Sequence, residues 1–556
     1  MKKIPVNLLA FFLLVIFVFL AFTSIWPDRK SPTCDELAHH IPTGYILLTK
    51  HDYKMDTSHP PLSRYIVALP LKIVMHLNVP NDSQEWRRAD RSEFGKDLFY
   101  KYNNQPQKII FYSRLAIILV GLFCGWILFY WTKRVYSPEI ALFALFFYSF
   151  CPNILAHTAL ATTDMVATCF ILLSVASFWF YLRNNLLRNI IIAGISLGLA
   201  QLSKYTSVLL YLIFLLVFSL GFLELDKNRR KFIFCQILAI FAISIIVLWA
   251  GYGFDFEPVL KNAMRQGEKL AIAHDIVFKL FPSASLGLIQ KLDSFLLNVP
   301  IPLGAHILGI LGILRHGYEG HGTFFLGKWS VQGHPLYFLV AFLIKTPIPV
   351  IIFLLVGLGV CFKERIKLVE KLMVSVILVF FVTASMNKLQ LGLRYILPIY
   401  PFCFILAARS VILFKKKAFK AFLFILMFWY VLINLFTWPN YLSYFNEFVG
   451  GPRNGYKYLR DSNIDWGQDL PGLKKYMKDN LISDITFYYF GTAEPSSYGI
   501  NFKNFDSDEF VSPRDKIYAI SVHRLDTVAW TKRFEPTARI GYSIFIYDFR
   551  VKVSEE

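Results

Sequence analysis

The sequence predicts a polytopic α-helical membrane protein of about 11 spans, followed by a small α/β domain outside the bilayer. Three observations carry that prediction. Hydrophobic residues make up 55% of the 556-residue chain and charged residues only 17%, below the roughly 25% of soluble domains. Apolar runs recur at or near the ~20 residues that a helix needs to cross a bilayer. The 58 Lys and Arg against 38 Asp and Glu leave a net charge of +20, and the excess falls in short loops between those runs, where positive charge sets topology. Nucleic-acid binding, the usual meaning of such a charge, is therefore not indicated.

The elements follow in order. After Met1-Lys2-Lys3 the run Val6 to Trp26 has spanning length and no small-x-small cleavage site. It reads as a retained first span with a cytoplasmic N-terminus, not a signal peptide. Residues 27–108 then form a first external loop, within which Pro61 to Leu77 carries Arg64, Lys72 and His76 and reads as an amphipathic interfacial helix. Spans are expected at about 109–131, 139–151, 165–182, 190–202, 206–223 and 232–253. The basic groups Lys133-Arg134, Arg183 to Arg188 and Lys227 to Lys231 fall on the inside of that alternation. Residues 254–336 form a second external loop. Two spans flank Lys363 to Lys371, another opens at Arg394-Tyr395 and runs to Phe414, and the last is Ala421 to Thr437.

Residues 1–438 thus form the transmembrane domain and 439–556 the extracytoplasmic one. In the latter, Ile485 to Phe490 and Lys516 to Val522 alternate as strands, and Lys474 to Met477 sits on a short helical pattern. The seven cysteines are scattered with no CxxC pair, which points to neither a disulfide framework nor a thiolate metal site.

Polar groups that lipid-facing segments would not tolerate gather in four external patches. The first is Ser31-Pro32-Thr33-Cys34-Asp35-Glu36, with His39 and His40 behind it and His59-Pro60-Pro61-Leu62 beyond. A carboxylate at a membrane edge is costly and marks a functional candidate. The histidines lack HExxH-type spacing, so His39 and His40 read as loop residues and no metal is expected. The second patch is Thr162-Thr163-Asp164, where Asp164 caps the next helix, serves the site, or does both. The third is Lys204-Tyr205-Thr206. The fourth is Lys388 to Tyr395, ahead of Pro398 and Pro401.

Cations at outer ends oppose the positive-inside trend; they either snorkel to lipid phosphates or meet a specific anion. Two carboxylates and two cations beside lipid suit a substrate whose phosphate is tethered to a lipid. The cations would steady a leaving phosphate, and a carboxylate would take the proton of an attacking hydroxyl. Further on, Asp461 to Asp469 (Asp-Ser-Asn-Ile-Asp-Trp-Gly-Gln-Asp) fits either a structured turn with capping acids or a sugar-binding stretch, with Asp465 and Trp466 as the candidates. No Walker, dinucleotide or GxSxG motif is present.

These residues, in this order, resemble the integral-membrane glycosyltransferases of the protein O-mannosyltransferase and lipid A aminoarabinose transferase type, glycosyltransferase family 39 of the GT-C fold. The resemblance covers about the first 410 residues and rests on Asp35-Glu36, His59-Pro60-Pro61-Leu62, Asp164, Lys204 and Arg394-Tyr395 with Pro398. It implies Asp35 as general base, Glu36 as its support and Asp164 as the second acid of the site. Lys204, Arg394 and Tyr395 would contact the phosphate of a polyprenyl-phosphate sugar, with inversion at the sugar carbon and no metal or other cofactor. Residues 254–336 are too short for the β-trefoil of eukaryotic protein mannosyltransferases. The stretch from Tyr444 to Asp469 looks instead like bacterial members of the family.

The reading is a plasma-membrane enzyme that moves a sugar from a lipid-linked donor to a protein, lipid or glycan acceptor outside the cytoplasm. His59, Asp465 and Trp466 are the candidate substrate contacts. The alternative is a transporter or flippase of a lipid-linked sugar. Transporters tend to show repeats around a midplane site, whereas here the polar groups lie in outer loops and no repeat is visible.

Overall fold

Apolar runs become helices wherever proline permits, and the prolines set where they bend. The computed structural model describes residues 5–26, 29–53, 55–81, 83–222, 227–262, 286–415 and 417–550. Met1-Lys2-Lys3 and residues 263–285 of the second expected loop lie outside the described residues.

Among the described residues, seven helices are long and apolar enough to span a bilayer: Val6–Ser24, Pro106–Val135, Thr163–Arg183, Phe232–Gly251, Leu368–Met386, Leu393–Leu413 and Phe419–Thr437. Two further candidates are broken. Pro138–Ser149 and Pro152–Thr158 meet at 64°, and Tyr337–Lys345 and Ile348–Lys363 meet at 109°. Proline disfavours helical geometry in the residue before it. Accordingly Thr346, ahead of Pro347, is extended at φ −92° and ψ 132°. The expected span at 139–151 is therefore only the first limb of a bent pair. Two shorter apolar helices, Leu187–Ser203 and Tyr205–Ser219, occupy the places of the expected spans at 190–202 and 206–223.

The first loop differs most from expectation. The sequence predicts one helix in it, yet much of the loop is helical, with Glu36–His40, Ile41–Lys50, Pro61–Pro70, Leu71–Met75 and Arg91–Lys96 all folded onto the bundle. Glu36–His40 is a π turn, in which Ile41 N–H reaches back five residues to the Glu36 carbonyl. Pro42 explains it: proline has no N–H to give Ala38 and its ring clashes with that carbonyl, so the turn widens. His39 and His40 are thus helical residues, not loop residues.

One end of the bundle carries the acidic and basic patches. At the other, Tyr136 donates to Glu370 (2.9 Å), Arg409 pairs with Glu364 and covers the Tyr136 ring at 4.6 Å, and Lys133 bonds Asn7 (3.0 Å).

The C-terminal region holds a five-stranded mixed sheet in the order Phe502–Lys503, Ile485–Tyr488, Ile517–Ser521, Ile544–Asp548, Ala538–Ile540. Ile485–Tyr488 runs parallel to two neighbours, and the last two pairings are antiparallel. Leu470, Leu473 and Met477 form the buried stripe of the helix Leu470–Asp479 at the spacing of one helix face. Between Trp438 and Asp469 the chain does not yet leave the bundle. Asn446 donates to the Leu343 and Thr346 carbonyls (2.6 and 2.8 Å), filling the break after Tyr337–Lys345.

Candidate active site

Asp35 is held from two sides. Behind it, backbone pairing ties the first loop to the C-terminal region: Ser31 N–H donates to the Gln468 carbonyl (2.9 Å) and Cys34 N–H to that of Trp466 (3.1 Å). Ahead of it, Glu36 is wholly buried and saturated. It accepts from Arg114 Nε (2.8 Å) and Nη2 (2.7 Å), from Thr33 N–H (2.9 Å) and hydroxyl (3.0 Å), and from Ala161 N–H (2.7 Å). That clamp joins the first loop to the helix Pro106–Val135 and to the turn before Asp164. Glu36 itself faces no open site.

The Asp35 carboxylate meets Arg394 Nη1 at 2.8 Å. Burial alone would raise its pKa, but the Arg394 charge, with His39 and His40, outweighs burial and holds it below the usual range. Arg394 Nη1 also lies 4.0 Å from Asp164, whose other oxygen takes Lys204 Nζ at 2.7 Å. Four charges of alternating sign therefore form one chain: Asp35, Arg394, Asp164, Lys204. Thr162, the N-cap of that helix, makes no side-chain cap bond; its hydroxyl donates to Asp164 (3.2 Å), which also takes Lys204.

Aromatic rings line the cations. The Arg394 guanidinium sits 4.3 Å from the Trp466 ring centroid and 5.7 Å from that of Tyr395, while Lys204 Nζ is 5.1 Å from Tyr395. Such contacts favour a cation by the ring quadrupole and keep water out. Arg394 owes its position to the loop before it. Gly392 is left-handed at φ +106°, where a Cβ would stand 2.4 Å from the Ser462 hydroxyl, and Leu393 N–H donates to Asn463 (3.0 Å). Residues 461–466 thus reach the site through Asn463 and Trp466. Asp465 is fully buried, with no salt bridge to it among the described residues, and accepts from Gly467 and His523 N–H (3.2 and 3.3 Å). Burial is the chief cause that pushes its carboxyl up to about 8, with Asp469 and Asp461 adding to it.

Behind Asp35 three imidazoles crowd together. His40 and His59 ring centroids are 5.0 Å apart, and His39 lies 6.3 and 6.2 Å from them. His39 is fixed on Asp56 (3.2 Å), which Arg64 and Arg91 also hold. No group of three His, Cys, Asp or Glu among the described residues is spaced to share a metal ion.

Every sequence-predicted site residue lies in or beside this cluster, although Glu36 stands behind it. Arg114 and Lys345 escape the sequence reading. Lys345 is 2% exposed, donates to the Leu442 carbonyl (2.9 Å) and to that of Asn463, and so pins the loop that carries Trp466. The signal for both is a lone cation inside an apolar span, which is expensive and needs a reason.

This fold sets a charged cluster at one mouth of a polytopic helix bundle, the architecture of the GT-C fold. Residues 107–249 match the family model described as dolichyl-phosphate-mannose-protein mannosyltransferase. The solved structure of ArnT from Cupriavidus metallidurans bound to undecaprenyl phosphate superposes at a TM-score of 0.50 with 10% identity, covering 96% of this chain and 97% of that one. Archaeoglobus fulgidus AglB in complex with an inhibitory peptide and a dolichol-phosphate matches at 0.44, 14% identity, 77% and 54%. The Saccharomyces cerevisiae Pmt1-Pmt2 complex bound to the sugar donor matches at 0.36, 17% identity, 47% and 37%. No curated protein matches the sequence. The chain is an integral membrane protein that shares the fold of ArnT over nearly its whole length.

Proposed function

We propose that the protein transfers a sugar, with inversion, from a polyprenyl-phosphate donor to an acceptor hydroxyl on the extracytoplasmic face of the plasma membrane, with Asp35 as general base. One observation carries this reading: the contiguous chain of Asp35, Arg394, Asp164 and Lys204 at one end of the bundle. ArnT, which has a similar fold, was solved with undecaprenyl phosphate, and a lipid phosphate is an anion that this pair of cations suits. The basic cluster of Lys133, Arg134, Lys363 and Arg409 at the opposite end favours a cytoplasmic position there.

On this reading the donor phosphate engages Arg394 and Lys204, with Tyr395 beside them, and draws Arg394 away from Asp35. The freed carboxylate accepts the proton of the acceptor hydroxyl as its oxygen attacks the sugar carbon. The bond from that carbon to the phosphate oxygen breaks, and the departing phosphate keeps the electron pair while the two cations stabilise its charge. Asp164 holds Lys204 and Arg394 in register. Glu36 is a positioning residue, and Trp466 shields Arg394 from water. His59 and Asp465 border the sugar side and the loop that carries Trp466.

The test is release of polyprenyl phosphate by the purified protein from a panel of polyprenyl-phosphate sugars, with Asp35→Asn alongside. A rate loss of roughly 10²–10⁴-fold in D35N is expected from removal of a general base. Full activity in D35N would remove Asp35 from that role.

A further inference from the structure

His157 stands on the short helix Pro152–Thr158, which Pro152 opens after the extended Cys151. Asn153 ties the start of that helix to the Lys345 carbonyl (2.6 Å), and the turn after it is held by Ala161 N–H on Glu36 (2.7 Å). The imidazole is 3% exposed, and its Nδ1 has no hydrogen-bond partner among the described residues. Buried polar atoms are rarely left this way, and each exception calls for an explanation.

The surroundings of this nitrogen supply one. Nδ1 lies 3.9 Å from Oδ2 of Asp164, and Arg394 Nη1 lies 4.0 Å from that same oxygen. Both are beyond hydrogen-bond reach. In the structure Oδ2 accepts from the Thr162 hydroxyl (3.2 Å), and Oδ1 takes Lys204 Nζ (2.7 Å). Besides Asp164 and Arg394, the charged groups that act on the ring are Lys204 and Lys345.

We propose that His157 is a positioning residue: its Nδ1–H donates to Asp164 once a lipid phosphate has drawn Arg394 and Lys204 to itself. The proposal rests on the donor reading above and adds to it the group that keeps Asp164 satisfied while its cations serve the phosphate.

The geometry gives the order of events. Nη1 of Arg394 is also the nitrogen that pairs with Asp35, so a guanidinium drawn toward the phosphate withdraws the same N–H from both carboxylates. Asp164 is 1% exposed, and a buried carboxylate that loses its cations is strongly destabilised unless another donor takes their place. His157 is that donor: a shift of roughly 1 Å brings Nδ1 to hydrogen-bond distance. A neutral imidazole carries its proton on one of its two nitrogens, and with the proton on Nδ1 the ring donates to the carboxylate. A bond made only with the carrier present adds to affinity for the carrier and not to the stability of the protein without it.

The experiment uses full-length protein in lipid nanodiscs, with undecaprenyl phosphate as the probe. Wild type is compared with His157→Leu, which has no donor, and His157→Asn, whose side-chain amide places an N–H where Nδ1 stands. H157L is expected to lose about 10- to 100-fold in affinity, the range of a hydrogen bond to a charged group, and H157N to keep most of it. Without the carrier, the thermal unfolding midpoint of H157L should be no lower than that of H157N. In the Asp164→Asn background, H157L should cost little further, since no buried charge is left to satisfy. Four results overturn the assignment alone. H157L binding as wild type does shows that Nδ1 never reaches Asp164. H157N losing as much as H157L makes the ring a packing element. A carrier-free midpoint that falls in H157L and returns in H157N puts the bond in the unliganded protein. The full H157L loss in the D164N background puts the ring on the phosphate itself. Wild type that does not bind the carrier overturns the donor reading, and the assignment with it.

Discussion

Glu36→Ala separates a chemical role for the second acid from a structural one. In the folded protein the Glu36 carboxylate is completely buried and takes two bonds from Arg114, itself 2% exposed. Deleting one partner of a buried pair strands the other charge, at a cost of about 3–5 kcal/mol. The Thr33 and Ala161 N–H groups lose their acceptor as well, which moves the expectation to the upper part of that range. About 4 kcal/mol is close to a thousandfold in the folded-to-unfolded ratio. The assay is thermal unfolding of purified protein in detergent, read beside donor turnover at a temperature where the variant stays folded. E36A is expected to unfold at a clearly lower temperature while its folded fraction keeps much of its turnover. The double variant Glu36→Leu, Arg114→Leu should recover part of the loss, because no charge is then left unpaired. An unchanged unfolding midpoint with lost turnover would refute the clamp and return Glu36 to the chemistry.

Further outcomes are expected elsewhere in the cluster. Arg394→Ala should raise the apparent KM for the lipid donor by about 10- to 100-fold, the range of a charge-assisted hydrogen bond, and more than for the acceptor. Unchanged donor dependence in steady-state kinetics would move the phosphate site elsewhere. Asp465 carries a pH signature with a definite sign. Its folded pKa, raised to about 8, lies above the unfolded one, so between about pH 4 and 8 the folded state holds a proton that the unfolded state has lost. Its contribution to stability is complete in acid and declines by about 1.4 kcal/mol per pH unit as pH rises through that window. In Asp465→Asn this slope is absent, so the gap between the two unfolding midpoints should widen from pH 5.5 to 8 and then level. Parallel pH curves would show that Asp465 is charged when folded.

The helices were legible in the sequence because hydropathy is local and additive, and the proline bends were legible in principle because Pro347 constrains only its neighbour. The expected site residues were reached by a resemblance of motifs, and the structure adds their connections. What brings Ser31 to Cys34 against Trp466 to Gln468 is backbone pairing across more than 400 residues, for which no local pattern exists. The same holds for Glu36 and Arg114: the sequence ties Glu36 to its neighbour Asp35 and singles out nothing at Arg114, and only packing makes them one clamp. His40 was misread for a subtler reason. A π turn depends on where Pro42 falls relative to a helix that begins at Glu36, and a one-residue shift in that start would change the face on which the imidazole lies.

On the proposed reading, the pairing of charges in this site is itself a means of control. Asp35 paired with Arg394 at 2.8 Å is a poor base, since the adjacent positive charge stabilises its ionised form. A donor phosphate competes for the same guanidinium, so the arrival of the donor raises the basicity of Asp35 at the moment an acceptor needs it. Trp466 and Tyr395 stacked on Arg394 limit where the side chain can turn, which directs it toward the phosphate rather than into water. Asp164 then matters as a counter-anion: with Lys204 at 2.7 Å and Arg394 at 4.0 Å, it keeps two cations close together in a site where they would otherwise repel. Without that anion the phosphate would have to assemble its own binding site; with it, the site stands ready and electrically balanced, and its base is freed only when the donor binds.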